Sequence, residues 1–103
     1  MIQLDPAVVD EIHDAAAWYE ERRLGLAADL LGEVEQTLEQ IALRPATFPR
    51  LAAMPQDLVV RSALLDRFPY ALIFLPLPTG DLRVVAFAHA KRRPGYWLWR
   101  VQG

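Results

Sequence analysis

The sequence predicts an α+β fold: a short N-terminal strand and an antiparallel helical hairpin packed on an antiparallel β-meander, in the order β-α-α-β-β-β. Three observations predict it. Apolar residues recur at three- and four-residue steps up to Arg44-Pro45, and beyond Gln56 they alternate or run continuously, with β-branched and aromatic residues enriched. The links between the three later apolar runs are only four to six residues long, too short for the parallel crossover of a dozen or more residues. At 103 residues, 53% apolar and 23% charged, the chain fits one globular domain spanning residues 1–103.

Ile2 to Leu4 is apolar-polar-apolar, the pattern of a short strand. Asp5-Pro6 then starts a helix, with Asp5 as the N-cap whose carboxylate accepts an amide N–H and Pro6 where a missing donor costs nothing. Val8, Ile12, Ala15, Ala16 and Tyr19 form one apolar face. Asp10, Glu11 and Asp14 sit in its early turns and Arg22 and Arg23 in its last, in keeping with the helix dipole. Leu24-Gly25-Leu26 interrupts the pattern, glycine being the residue suited to a left-handed helix end. A second helix carries Ala27, Leu30, Leu31, Val34, Leu38 and Ile41 on one face until Arg44-Pro45 stops it. His13 reads as a surface or boundary residue.

Pro45 to Gln56 holds three prolines, Pro45, Pro49 and Pro55, in an apolar loop expected to pack on the domain. Strands follow at Leu58–Leu65, Tyr70–Leu75 and Leu82–Ala88. Tyr70–Leu75 carries no charge, as suits a central strand covered on both faces. Strict alternation along the last strand would place Arg83, Val85, Phe87 and His89 on one face, and Leu82, Val84, Ala86 and Ala88 on the other.

Several classes of function are disfavoured. Cysteine is absent, which removes disulfides, thiolate nucleophiles and zinc-thiolate sites. His13 and His89 are far apart with no carboxylate at ligand spacing around His89, so neither a metal nor any other cofactor is expected. No stretch approaches the roughly 18 to 20 apolar residues of a membrane span, and no basic-then-apolar leader is visible. The expectation is a soluble, cytoplasmic chain without membrane partners.

The net charge of −2 conceals a segregation. Residues 1–57 hold eleven acids against four arginines; residues 58–103 hold two acids against seven bases. An anionic partner is therefore expected at the second half. The cations concentrate in His89-Ala90-Lys91-Arg92-Arg93-Pro94-Gly95-Tyr96-Trp97-Leu98-Trp99-Arg100, interleaved with aromatics.

Three stretches carry a family resemblance: Pro45-Ala46-Thr47-Phe48-Pro49-Arg50 after the second helix, Arg67-Phe68-Pro69-Tyr70 entering the middle strand, and Val85-Ala86-Phe87-Ala88-His89 leading into Arg92-Arg93-Pro94-Gly95-Tyr96-Trp97. With the element order, they resemble the RelE/ParE superfamily of type II toxin-antitoxin toxins, which includes plasmid stabilisation proteins. The resemblance covers nearly the whole chain. It implies a small growth-inhibiting toxin, held by a cognate antitoxin in a complex that can extend to higher hetero-oligomers. Its RelE-like branch cleaves mRNA on the ribosome; its ParE-like branch acts on DNA gyrase by binding.

In the RelE-like pattern, bases alternate on the first meander strand and another follows the middle-strand tyrosine. The corresponding positions here are Ser62, Leu64 and Ala71, none of which can neutralise a phosphate. The resemblance thus favours the ParE-like branch, with Arg61, Arg67, His89, Lys91, Arg92, Arg93, Tyr96 and Trp97 as candidates for target or partner binding. For the ribonuclease alternative, Arg61, His89, Arg92 and Tyr96 are the candidate catalytic groups; the plainer reading is that Tyr96 and Trp97 cover the end of the sheet. A non-toxic relative that only binds an antitoxin-like partner is the third reading.

Overall fold

The computed structural model describes residues 1–55 and 58–102; Gln56, where the loop reading ends, and Asp57, counted among the acids, lie outside the described residues. Strand β1 (Ile2–Leu4) leads into helices α1 (Pro6–Arg22) and α2 (Leu26–Leu43), a 3-10 turn at Pro45–Thr47, strands β2 (Arg61–Leu64), β3 (Tyr70–Pro76) and β4 (Leu82–His89), and a short helix α3 (Trp99–Gln102). The β-α-α-β-β-β arrangement is the one expected from the sequence. The sheet order is β1-β4-β3-β2; β2, β3 and β4 form the antiparallel meander, and β1 adds in parallel beside β4 with Ile2 opposite Leu82.

The helical hairpin covers one face of the sheet. Val8, Ile12, Leu30 and Ile41 pack there against Leu72, Phe74, Val84 and Phe87, all of them buried. The opposite face is covered too: Val60, Ile73, Val85 and Ala86 lie under Trp97, with Leu51 and Met54 of the proline-rich loop packed against them. Each large side chain so enclosed contributes about 1.5–3 kcal/mol through loss of water contact. Strand β3 therefore has apolar cover on both faces, which explains its lack of charge.

Gly25 takes the left-handed conformation that the sequence suggested, with φ of 93°. The Glu20 carboxylate accepts hydrogen bonds from the N–H groups of Gly25 and Ala27, and so caps α2 from the preceding helix. Asp5 departs from expectation. It precedes the helix, but its carboxylate makes no capping bond. Instead it receives Arg83 Nε and Nη2, each at 2.8 Å. A bidentate pair with guanidinium is stronger than a single amide contact, so the first strand and first helix are tied to β4.

The strict alternation along β4 also needs correction. Ile73 faces Ala86 and Phe74 faces Val84, so Val85 is an extra residue with no partner on β3. This bulge reverses the phase. Leu82, Val84 and Phe87 face the helices, whereas Val85, Ala86 and Ala88 face the other way. His89, two residues after Phe87, accordingly ends on the helix side of the strand beside Tyr70, not in line with Val85.

Candidate functional site

Strand β1 stops at Leu4, opposite Val84, so from Val85 onward the outer edge of β4 has no partner strand among the described residues. Side chains take the place of a ladder. Phe87 N–H donates to Glu11 Oε1 at 3.0 Å, and Val85 C=O accepts from Arg100 Nη1 at 2.7 Å. Arg100 also pairs with Glu11, with Nη1 to Oε1 and Nη2 to Oε2 both at 3.2 Å. Tyr96 donates its hydroxyl to Glu11 Oε2 at 2.7 Å. Glu11 thus holds the C-terminal segment onto the sheet edge. Burial alone would raise its pKa, but hydrogen bonds from Arg100, Phe87 N–H and Tyr96 outweigh it and hold the carboxyl below its ordinary value.

Between His89 and Trp99 the chain turns back over the sheet. Arg92 N–H donates to His89 C=O, and Gly95, at φ of 76°, permits the reversal. A Cβ at Gly95 would meet the Leu98 side chain at 3.0 Å, so glycine serves both conformation and space there.

Two clefts lie back to back at this end of the sheet, and His89 and Arg92 line both. The cleft on the helix side, of about 320 Å³, has walls of Trp18, Tyr19, Tyr70 and Phe87, with Glu11 and Asp14 along α1. Tyr70 stacks on Phe87 at 4.3 Å and meets His89 edge-on at 5.0 Å. Burial, with neighbouring Tyr19, pushes the Tyr70 hydroxyl pKa up. The cleft on the other face, of about 300 Å³, runs between Leu51 and Met54 of the loop and Ile73 of the sheet, with His89, Arg92 and Arg93 at its rim.

The residues singled out from sequence do not all meet here. His89, Arg92, Arg93, Tyr96 and Trp97 line the clefts, and Lys91 is exposed beside them. Arg92 lies over the Tyr96 ring at 4.0 Å, a cation–π contact. Trp97, at 3% exposure, is a core residue and offers no ring to a partner. Arg61 stands opposite Phe74 on β3, whereas His89 stands opposite Tyr70, a separation of about 13 Å along the strand. Its Nη1 donates to Phe48 C=O at 2.7 Å and so fastens the loop after α2. Arg67 lines neither cleft; its guanidinium pairs with Asp29 at 3.2 Å while its amide bonds Glu33.

Tyr96 is no proton acceptor in this arrangement. Burial and its bond to Glu11 drive the hydroxyl pKa well above the ordinary tyrosine value, despite the nearby Arg100 and Arg92. His89 Nδ1 accepts the Lys91 N–H at 2.9 Å, which leaves Nε2 as the protonated nitrogen of the neutral ring. Sequence reasoning missed Glu11 and Arg100 as the pair that organises this end. A partial signal was present, since Arg100 is a lone cation between Trp97-Leu98-Trp99 and Val101, and Glu11 adjoins the buried position Ile12.

No helix among the described residues is long and apolar enough to cross a membrane, and no group of three or more metal-ligating side chains occurs among them. No protein-family model matches the chain, and no curated protein sequence matches it.

Proposed function

We propose that this protein is a ParE-like toxin of a type II toxin-antitoxin system, which inhibits growth by binding a macromolecular target, DNA gyrase, through its basic sheet end, and is neutralised by a cognate antitoxin. The observation that carries this reading is how the candidate catalytic groups are engaged. The Tyr96 ring lies under Arg92, but its hydroxyl is engaged by Glu11 and stays protonated, and Arg61, fastened to the Phe48 carbonyl, stands about 13 Å along the strand from His89. Metal-free cleavage of RNA needs a proton acceptor and cations converging on one phosphate. What remains at the rim is Arg92 and Arg93 beside His89, with Lys91 exposed next to them, a set suited to holding an anionic surface. The motifs at Pro45–Arg50, Arg67–Tyr70 and Val85–Trp97 supply the family part of the proposal.

Controlled expression in cells lacking any antitoxin tests it. The expected result is growth arrest with SOS induction and gyrase-dependent DNA breaks, while RNA 5′-end mapping shows intact messages. Arg92→Ala with Arg93→Ala should relieve the arrest, and Tyr96→Phe should not. Codon-positioned mRNA cuts would overturn the reading in favour of a ribosome-dependent endoribonuclease. Normal growth with soluble, folded protein present would replace it with a non-toxic antitoxin-binding relative.

A further inference from the structure

The cleft on the face away from the helices combines an apolar channel with a one-signed rim. Its walls are the aliphatic side chains of Leu51, Met54 and Ile73 with the small Ala71 and Ala88, and Trp97 closes it from within. Its charged lining is Arg92 and Arg93, with His89 at the divide between the two clefts, and no carboxylate lines it among the described residues. The other arginines of the second half are engaged elsewhere: Arg83 with Asp5, Arg100 with Glu11, Arg67 with Asp29, Arg61 with Phe48 C=O. Arg92 and Arg93 have no ion-pair partner among the described residues. The Tyr96 ring under Arg92 holds its planar fork in place while leaving its N–H edge free.

We infer that this cleft binds a small amphiphilic carboxylate, with the aliphatic chain in the channel and the carboxylate on Arg92 and Arg93. A volume of about 300 Å³ stands at the lower end of small-molecule sites, which fits a single short chain. A nucleobase fits poorly, because the channel walls are alkyl surface and would leave its ring-edge donors and acceptors unpaired, at about 1–3 kcal/mol for each. A cationic amphiphile is repelled at the rim. The helix-side cleft, with Glu11 and Asp14 in its wall, excludes the anion that this cleft attracts. Binding is a property of the isolated protein and does not depend on the toxin proposal. Its consequence does rest on that proposal: a carboxylate seated on Arg92 and Arg93 would neutralise the cations offered to the target.

The probe is octanoate, below its micellar concentration, titrated against full-length protein carrying Trp18→Phe and Trp99→Phe so that Trp97 alone reports by fluorescence. Saturable one-site binding is expected, about ten-fold or more tighter than for octylammonium, and weakening as salt rises. Arg92→Ala with Arg93→Ala should weaken it about ten-fold without moving the thermal melt; Arg92→Lys with Arg93→Lys should weaken it less, keeping the salt dependence. Octylammonium binding as tightly, or octanoate binding indifferent to loss of both arginines, would overturn the assignment. A folded double variant is the safeguard, and because both side chains are exposed it is expected to fold.

Discussion

Glu11 accepts hydrogen bonds from three partners, the Phe87 amide, the Tyr96 hydroxyl and the Arg100 guanidinium, and its side chain and that of Arg100 are only 17% and 11% exposed. Removing one member of such a pair strands the other in a poorly solvated site. Glu11→Ala should therefore cost about 3 kcal/mol, read as a lower urea midpoint at unchanged slope. The pH dependence has a defined sign. Because the folded state holds this carboxyl below its ordinary value, its contribution is complete above the unfolded pKa and is lost as pH falls through the folded one. The stability gap between the native chain and Glu11→Gln should accordingly narrow as pH is lowered from about 6 to about 3. Tyr96→Phe removes one donor of the three and should cost about 1 kcal/mol.

At the scale of elements, most boundaries were legible because a single residue type enforces each one. Pro6 opens α1, Gly25 breaks the hairpin, and Arg44-Pro45 ends α2. Paired glycine substitutions check this logic. Gly25→Ala forces an L-residue to φ of 93° with open space around it, and should destabilise by about 1 kcal/mol from backbone strain alone. Gly32, inside α2 and equally uncrowded, should behave in the opposite sense, Gly32→Ala adding about 0.8 kcal/mol. Thermal melts of the two variants would show shifts of opposite sign. The bulge in β4 was illegible for a physical reason: Val84, Val85, Ala86 and Phe87 are all apolar, so no polar position marks where the alternation slips. With it went the facing of His89, and hence which residues share a cleft. The Asp5 capping reading failed because a guanidinium 78 residues away in sequence outcompetes a local amide.

For the whole molecule, the charge segregation acquires a different meaning. Ion pairs Asp5–Arg83, Glu11–Arg100 and Asp29–Arg67 cross between the acidic and basic halves, so much of the opposed charge is spent holding them together. Of the four remaining bases of the second half, Arg61 is tied to the Phe48 carbonyl, and Lys91, Arg92 and Arg93 have no ion-pair partner among the described residues. This also decides how the C-terminal segment should be probed. Deleting residues 91–103 would remove the buried Trp97 and the Arg100 anchor, so a loss of binding would report unfolding. Trp97→Ala alone should cost about 3–5 kcal/mol by denaturant titration, whereas Arg92→Ala with Arg93→Ala separates surface charge from fold. Strand β1 gives the last consequence. Among the described residues its strand partner is β4 alone, and its register is locked by Asp5 on Arg83, which in turn holds the Arg100 carbonyl. The order of events along a growing polypeptide follows: the helical hairpin has all its residues early, while the first strand stays without a partner until most of the chain has left the ribosome. Closing so wide a loop is entropically slow and falls late in folding. Substitutions at Leu4 should then speed unfolding and leave the refolding rate nearly unchanged.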